Sequence, residues 1–407
     1  MKKNIYWLII DKSIATILTL LSTVFIVNAL GVNEYADYSF NISILLLMLA
    51  FARYGLNQFL IKSLVDKLNV NFLITNSFII KALLGLIVVI IAYLLLFLFG
   101  YSERFKLIFG IMIFFYSLEV FEFLFISKKR YDITAKIKTT INIATFILRF
   151  IGFSLSFNLN YFLFCYIFQF VGYFFCCYYI SNIKGMYSFK IKNIRHKNIN
   201  IILRKTYPLW FSSIFTAVFM QVDQVMLGLL STNNELSNYS LPMTIVNQIS
   251  MVSILICNFS LPYYASYYNT HSENKFYVIW KKYNSIVLIF LFFVSFAFSG
   301  IYPYISRHLF NSDFSLSSNV FMILVYLVPL IFINLAVYNL NVIRGEFKLN
   351  TYSSLLGMVV NIILNFILIP FYGAVGSAYA SLSAYLIMTI VFYIIYDPKI
   401  FYFKIKG

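Results

Sequence analysis

The chain has 407 residues, of which 61% are hydrophobic and 11% charged, and a formal net charge of +17. A water-soluble domain carries about 25% charged residues, and one of this length needs far more polar surface to cover its core, which excludes a soluble globular enzyme. Four cysteines with no Cys-x-x-Cys pair and three histidines with no ligand-like spacing argue against a disulfide framework, a metal site or any cofactor.

The charges cluster between apolar runs of about 20 residues, the length that crosses a bilayer. The first run, 5–30, follows Lys2 and Lys3; it is too long for a signal-peptide core and holds Asp11 and Lys12, so it reads as a membrane helix. Further helices are predicted over 37–61, 72–99, 105–127, 134–157 and 159–182. A basic cytoplasmic linker over 183–205 follows, then helices over 206–230, 237–263, 278–299, 319–343, 349–370 and 374–396. The expected fold is an all-α integral membrane protein of about twelve transmembrane helices. It divides into an N-terminal bundle, 1–182, a C-terminal bundle, 206–398, and a cytoplasmic tail, 399–407.

Charge placement tests this map. On alternating connections, one side of the membrane collects 24 of the 31 basic residues and the other only Arg104, Lys106 and Arg307. Lysine and arginine stay on the cytoplasmic side, so both termini are expected there. The net charge then needs no nucleic-acid partner; a basic linker lying on anionic lipid accounts for it.

The turn after the first helix reads Asn33-Glu34-Tyr35-Ala36-Asp37-Tyr38-Ser39, and the turn after the seventh reads Asn234-Glu235-Leu236-Ser237-Asn238-Tyr239-Ser240, an offset of 201. This fits duplication of a six-helix unit. An even-numbered unit repeats in the same orientation, which gives halves related by a pseudo-two-fold axis along the membrane normal, able to rock about a central cavity.

Away from the helix ends, eight charges fall inside the predicted spans: Lys12, Arg53, Lys81 and Arg149 against Asp11, Glu119, Glu122 and Asp223. Each costs about 2.5–3.5 kcal/mol at a helix centre, so each needs a partner or water. Arg149 lies eleven residues beyond Lys138, about 16 Å deep. Glu119 and Glu122, three apart, would share a helix face and could pair with Arg53 or Lys81. Asp11 and Lys12, near the interface, read as a pair or as snorkelling side chains. Arg53, Lys81 and Arg149 form a cationic set suited to an anionic head group, a pyrophosphate first of all, because guanidinium groups bind phosphate oxygens in pairs. Asp223, flanked by Gln221 and Gln224, reads as a proton or cation site, as the partner of a first-half cation, or as a capped carboxylate.

The segment from Gly357 through Asn361, Asn365, Pro370, Gly373, Gly376, Ala378 and Ala380 to Tyr385 resembles the penultimate helix hairpin of polysaccharide flippases in the multidrug/oligosaccharidyl-lipid/polysaccharide (MOP) exporter superfamily. Leu30 to Tyr38 is similar to that family's first extracytoplasmic turn, although Ala36 replaces the usual glycine, and Gln221 to Gly228 is similar to its seventh-helix Asp motif. The resemblance implies a MOP/MATE-like fold and a Wzx-type flippase of the inner membrane. Its substrate would be an undecaprenyl-pyrophosphate-linked oligosaccharide, an O-antigen or capsule repeat unit, moved from the cytoplasmic to the periplasmic leaflet. It also implies proton or sodium coupling, for which Asp223 is the candidate, and association with a polymerase and a chain-length regulator of lipopolysaccharide synthesis.

Two other functions compete. A membrane glycosyltransferase or O-antigen polymerase would need a catalytic outer loop; the longest, about 300–318, offers only Arg307, His308 and Asp313. An ion-coupled multidrug antiporter would need a first-half carboxylate for organic cations, where this chain is basic.

Overall fold

The computed structural model describes residues 2–65, 70–98, 103–187, 196–310, 314 and 316–391. Its elements are all helices: α1 (Lys2–Arg53), α2 (Leu56–Val65), α3 (Val70–Leu98), α4 (Glu103–Ser117), α5 (Glu122–Ser127), α6 (Tyr131–Ser154), α7 (Leu159–Ile183), α8 (His196–Leu230), α9 (Asn233–Thr270), α10 (Glu273–Leu309), α11 (Ser317–Leu324), α12 (Leu327–Arg344) and α13 (Phe347–Ile390). A bilayer imposes this uniformity, since a strand edge or loop in hydrocarbon would leave its amides unsatisfied.

Nine stretches among the described residues are long and apolar enough to cross a membrane. Two of them, Ile9–Arg53 and Lys348–Ile390, run 45 and 43 residues, against the roughly 20 that a bilayer needs. Each is broken once, at Gly31 (φ 66°, ψ −174°) and at Gly373 (φ 53°, ψ −129°), and so supplies two spans. The twelfth span is α6, which is 24 residues long and carries Lys136, Lys138 and Arg149. The expected count of twelve therefore holds, and the break at Gly31 lies 201 residues before Thr232, where the chain passes from α8 to α9.

The chain packs as two compact units, one of residues 1–30 and 41–217, the other of 31–40 and 218–407. The first is centred on Leu60, Ile74, Phe121, Phe125 and Ile133. The second is centred on Tyr239, Phe321, Phe332 and Ile369, with α9 lying along α11 and α12. Outward faces stay apolar: Phe293 and Phe296 of α10 are each 70% exposed, as suits side chains dissolved in lipid.

Two connections are shorter than expected. α10 continues to Leu309 and absorbs the start of the 300–318 loop, so Arg307 and His308 form its last turn, where cations complement the helix dipole. Asp313 lies outside the described residues. α8 starts at His196, inside the stretch expected as linker, while Lys190, Lys192, Arg195 and the 399–407 tail lie outside the described residues.

The Gly373 break is pinned by a distant carboxylate. Glu235, in the first turn of α9, accepts the Ala374 N–H at 2.6 Å and so caps the helix that restarts after the break. A Cβ on Gly373 would collide with that carboxylate, whereas a Cβ on Gly31 meets nothing within 4 Å. Gly31→Ala should therefore cost only the backbone strain of a positive-φ, extended conformation that essentially glycine alone adopts, about 1–3 kcal/mol. Gly373→Ala should lower the melting temperature of the detergent-solubilised protein distinctly more; equal losses would show that the Glu235 cap contributes nothing.

Candidate functional site

In the first unit two helix breaks hold the charges. α1 ends at Arg53, and Tyr54 and Gly55 take positive φ (50° and 63°) before α2 begins. Gly55 is needed there, because a Cβ would come within 2.8 Å of the Leu209 and Trp210 backbone. α4 ends at Ser117 and α5 starts at Glu122. The turn between them is tightened by three-residue hydrogen bonds, Phe123 N–H to Val120 O and Leu124 N–H to Phe121 O among them.

Arg53 and Glu119 bridge the two breaks. Arg53 Nε lies 2.9 Å from Glu119 Oε1, and Nη2 donates to Oε2 at 3.2 Å. The guanidinium carbon sits 4.5 Å from the centre of the Tyr116 ring, a cation–π contact that also shields it. Asn57, in the first turn of α2, donates its amide N–H to Glu119 Oε1 at 2.6 Å. Its carbonyl oxygen accepts from Lys81 Nζ, also at 2.6 Å. Lys81 is completely buried. The result is a relay, Arg53–Glu119–Asn57–Lys81, in which one carboxylate serves two cations and pairs directly with only one.

Glu122 does not join this relay. The α4–α5 break separates it from Glu119, and Lys138 of α6 binds it at 2.5 Å. Arg149 shares no hydrogen bond with the relay. It is 9% exposed and donates from Nη2 to Gln169 Oε1 of α7 at 3.4 Å, and Gln169 in turn donates to Asn142 Oδ1 at 3.1 Å. Its guanidinium lies 5.6 Å from the Tyr166 ring centre, and its Nε has no hydrogen-bond partner. Among the described residues, Arg149 is thus buried against neutral groups alone. At the start of α6, Arg130 donates a paired hydrogen bond to the Asp132 carboxylate, Nε to Oδ1 and Nη2 to Oδ2, each at 2.9 Å.

In the second unit Asp223 is enclosed by neutral donors. Its Oδ1 accepts from Asn365 Nδ2 at 2.6 Å, and its Oδ2 accepts from the hydroxyls of Tyr239 (2.8 Å) and Ser381 (2.5 Å). Asn365 also donates to Asn361 Oδ1 at 2.8 Å and accepts from Ser377 Oγ at 2.8 Å. Asn361 reaches the Phe219 carbonyl oxygen at 3.4 Å. All these side chains are buried. They come from α8, α9 and both segments of α13, so the Gly373 break is what brings Ser377 and Ser381 back to Asn365.

Sequence reasoning singled out the charges and missed their neutral partners Asn57, Gln169, Tyr239, Asn365 and Ser381. One signal was available: Asn361 with Asn365, and Ser377 with Ser381, are four apart in apolar helices and so share a face.

The model of the family described as "Polysaccharide biosynthesis protein" matches residues 1–268. No curated protein matches the chain in sequence. Among solved structures it is similar to the lipid II flippase MurJ in an inward closed conformation, at 15% identity and a TM-score of 0.77, over 96% of this chain and 87% of that one. It is also similar to a multidrug resistance MATE family transporter of the MOP superfamily. The inward-facing form gives 12% identity and a TM-score of 0.68, over 94% of this chain and 96% of that one. The outward-facing form gives 14% and 0.64, over 98% and 96%. At these identities the likeness is one of fold: the chain has the MOP fold.

Removing one donor from the Asp223 shell should leave a buried carboxylate oxygen short of a partner. Tyr239→Phe is expected to cost about 1–3 kcal/mol, and less in an Asp223→Asn background. A thermal-melt double-mutant cycle measures the difference; strict additivity would mean that the hydroxyl and the carboxylate are not coupled.

Proposed function

The chain belongs to the polysaccharide biosynthesis protein family, and from that membership we propose that it is a flippase for lipid-linked oligosaccharide. The substrate is an undecaprenyl-pyrophosphate-linked O-antigen or capsule repeat unit, carried from the cytoplasmic to the periplasmic leaflet of the inner membrane by alternating access. The charge asymmetry of the connections supports cytoplasmic N and C termini. The family description, polysaccharide biosynthesis, favours this reading over drug export, and the fold shared with a lipid II flippase agrees with it.

The observation that carries the proposal is a pair of buried cations, Lys81 and Arg149, whose hydrogen-bond partners are neutral amides. A cation kept in a membrane span without a carboxylate on it costs stability, and a function repays that cost. The prenyl tail stays in lipid while the head group passes through protein, so neither sugar hydroxyls nor phosphate charge enter hydrocarbon. Arg149, with its Nε unpartnered, presents a guanidinium edge suited to phosphate oxygens. Arg53 and Lys81 supply further positive charge, while Glu119 and Glu122 serve as their and Lys138's counter-ions.

Asp223 is the coupling residue of this proposal. Hydroxyl and amide groups can turn an oxygen toward a cation as readily as a donor toward a carboxylate, so the shell formed by Tyr239, Ser381 and Asn361 suits exchange with a proton or a sodium ion. The flippase delivers its product to a polymerase and a chain-length regulator.

In a host lacking the endogenous flippase, Arg149→Ala should insert normally yet abolish surface polysaccharide and accumulate lipid-linked intermediate in the cytoplasmic leaflet. Arg149→Lys should restore only part of the activity, since a point charge cannot replace the bidentate contact. Normal surface polysaccharide from Arg149→Ala would remove Arg149 from head-group binding.

A further inference from the structure

The relay in the first unit contains more than a salt bridge. Glu119 lies in the α4–α5 break and Arg53 at the α1–α2 break, so one ion pair ties together two interruptions of regular helix. The carboxylate sits where an anionic ligand would sit: against the Nε–Nη2 edge of the guanidinium, with the Asn57 amide as a second donor and buried Lys81 beyond it. Charges do not balance there. Two cations share one carboxylate, and Lys81 reaches it only through the Asn57 amide, with the Phe123 ring centre 5.6 Å from its Nζ.

The geometry points to Glu119 as an internal stand-in for one phosphate of the substrate, holding Arg53 until a diphosphate displaces it. This rests on the flippase reading above and concerns how the same head-group set discriminates. A diphosphate diester brings two anionic phosphates. One answers the unmet charge of Lys81; the other exchanges with Glu119 on Arg53 and frees the tie between the two breaks. A monophosphate diester brings one, which satisfies Lys81 and leaves the Arg53–Glu119 pair closed. Glu119 is then a specificity-determining residue: it makes head-group binding weaker than two free cations would, and makes opening of the two breaks conditional on the second phosphate.

The test uses full-length protein in detergent and two probes with the same sugar and prenyl chain, one a polyprenyl diphosphate monosaccharide and the other a polyprenyl phosphate monosaccharide. Glu119→Gln should tighten diphosphate binding by about tenfold or more, because no internal anion has to leave, while monophosphate binding changes by less than about threefold, the statistical gain of a second equivalent cation. Glu119→Asp, which keeps the charge and withdraws it by one methylene, covers the case in which Glu119→Gln is not recovered folded; it should tighten diphosphate binding in the same direction by a smaller factor. If the unmodified protein binds the diphosphate lipid and both variants bind it equally or more weakly, Glu119 only positions Arg53 and the stand-in role is wrong. If the unmodified protein binds neither lipid, the stand-in role and the flippase reading fall together.

Discussion

A charge or an amide carried into hydrocarbon loses its water, and everything distinctive in this chain follows from how that loss is made good. Each unit does so differently. In the second, one carboxylate is surrounded by neutral donors until every oxygen is satisfied, which gives a closed polar core of the kind that fixes helix register. In the first, charge is met by charge, and incompletely: Arg53 has its carboxylate, while Lys81 and Arg149 have amides. Neutral donors answer each oxygen of the one carboxylate, and incomplete pairing leaves two cations short of a counter-charge. That asymmetry, more than the presence of buried charge, is what the proposed head-group site in the first unit rests on.

The breaks follow from the same constraint. An interrupted helix exposes carbonyls and amides, which is tolerable inside a membrane only where protein side chains can answer them. At Tyr54–Gly55 the answer is close packing against the Leu209–Trp210 backbone, which admits no Cβ. At Leu118–Phe121 it is a tightened turn, with Glu119 drawn out of helical register toward Arg53. At Gly373 it is the Glu235 carboxylate on the Ala374 amide. In all three places the chain departs from regular helix, and in two of the three a charged residue sits at the departure and binds across it.

The helix count, the pairing of each apolar run with a span, and the hairpin at Gly373 were legible in the sequence, because hydropathy, charge placement and a Pro–x–x–Gly signal are local. The identity of the charged residues was legible as well, since eight charges stand out against so apolar a background. Their partners were not. Regular periodicity puts Glu119 and Glu122 on one face, but a break marked by neither glycine nor proline sends one to Arg53 and the other to Lys138. Asn57, Tyr239 and Ser381 are residue types too common here to stand out, and only tertiary packing shows what they hold. The ends of the long helices were also hidden: α10 runs past the bilayer length because nothing in 300–309 stops it, Pro303 included.

The cap between Glu235 and Ala374 has a mechanical consequence. Next to it, Phe371 and Tyr372 are 80% and 63% exposed at the tip of a hairpin, and tyrosine, an apolar ring with a polar end, favours the level of the lipid head groups. The tip is therefore moored twice, to α9 by a hydrogen bond and to the bilayer surface by its tyrosine. Any reorientation of this unit must take the tip, α9 and the surrounding lipid along together. The hairpin behaves as a keel, turning with the helix that holds its tip.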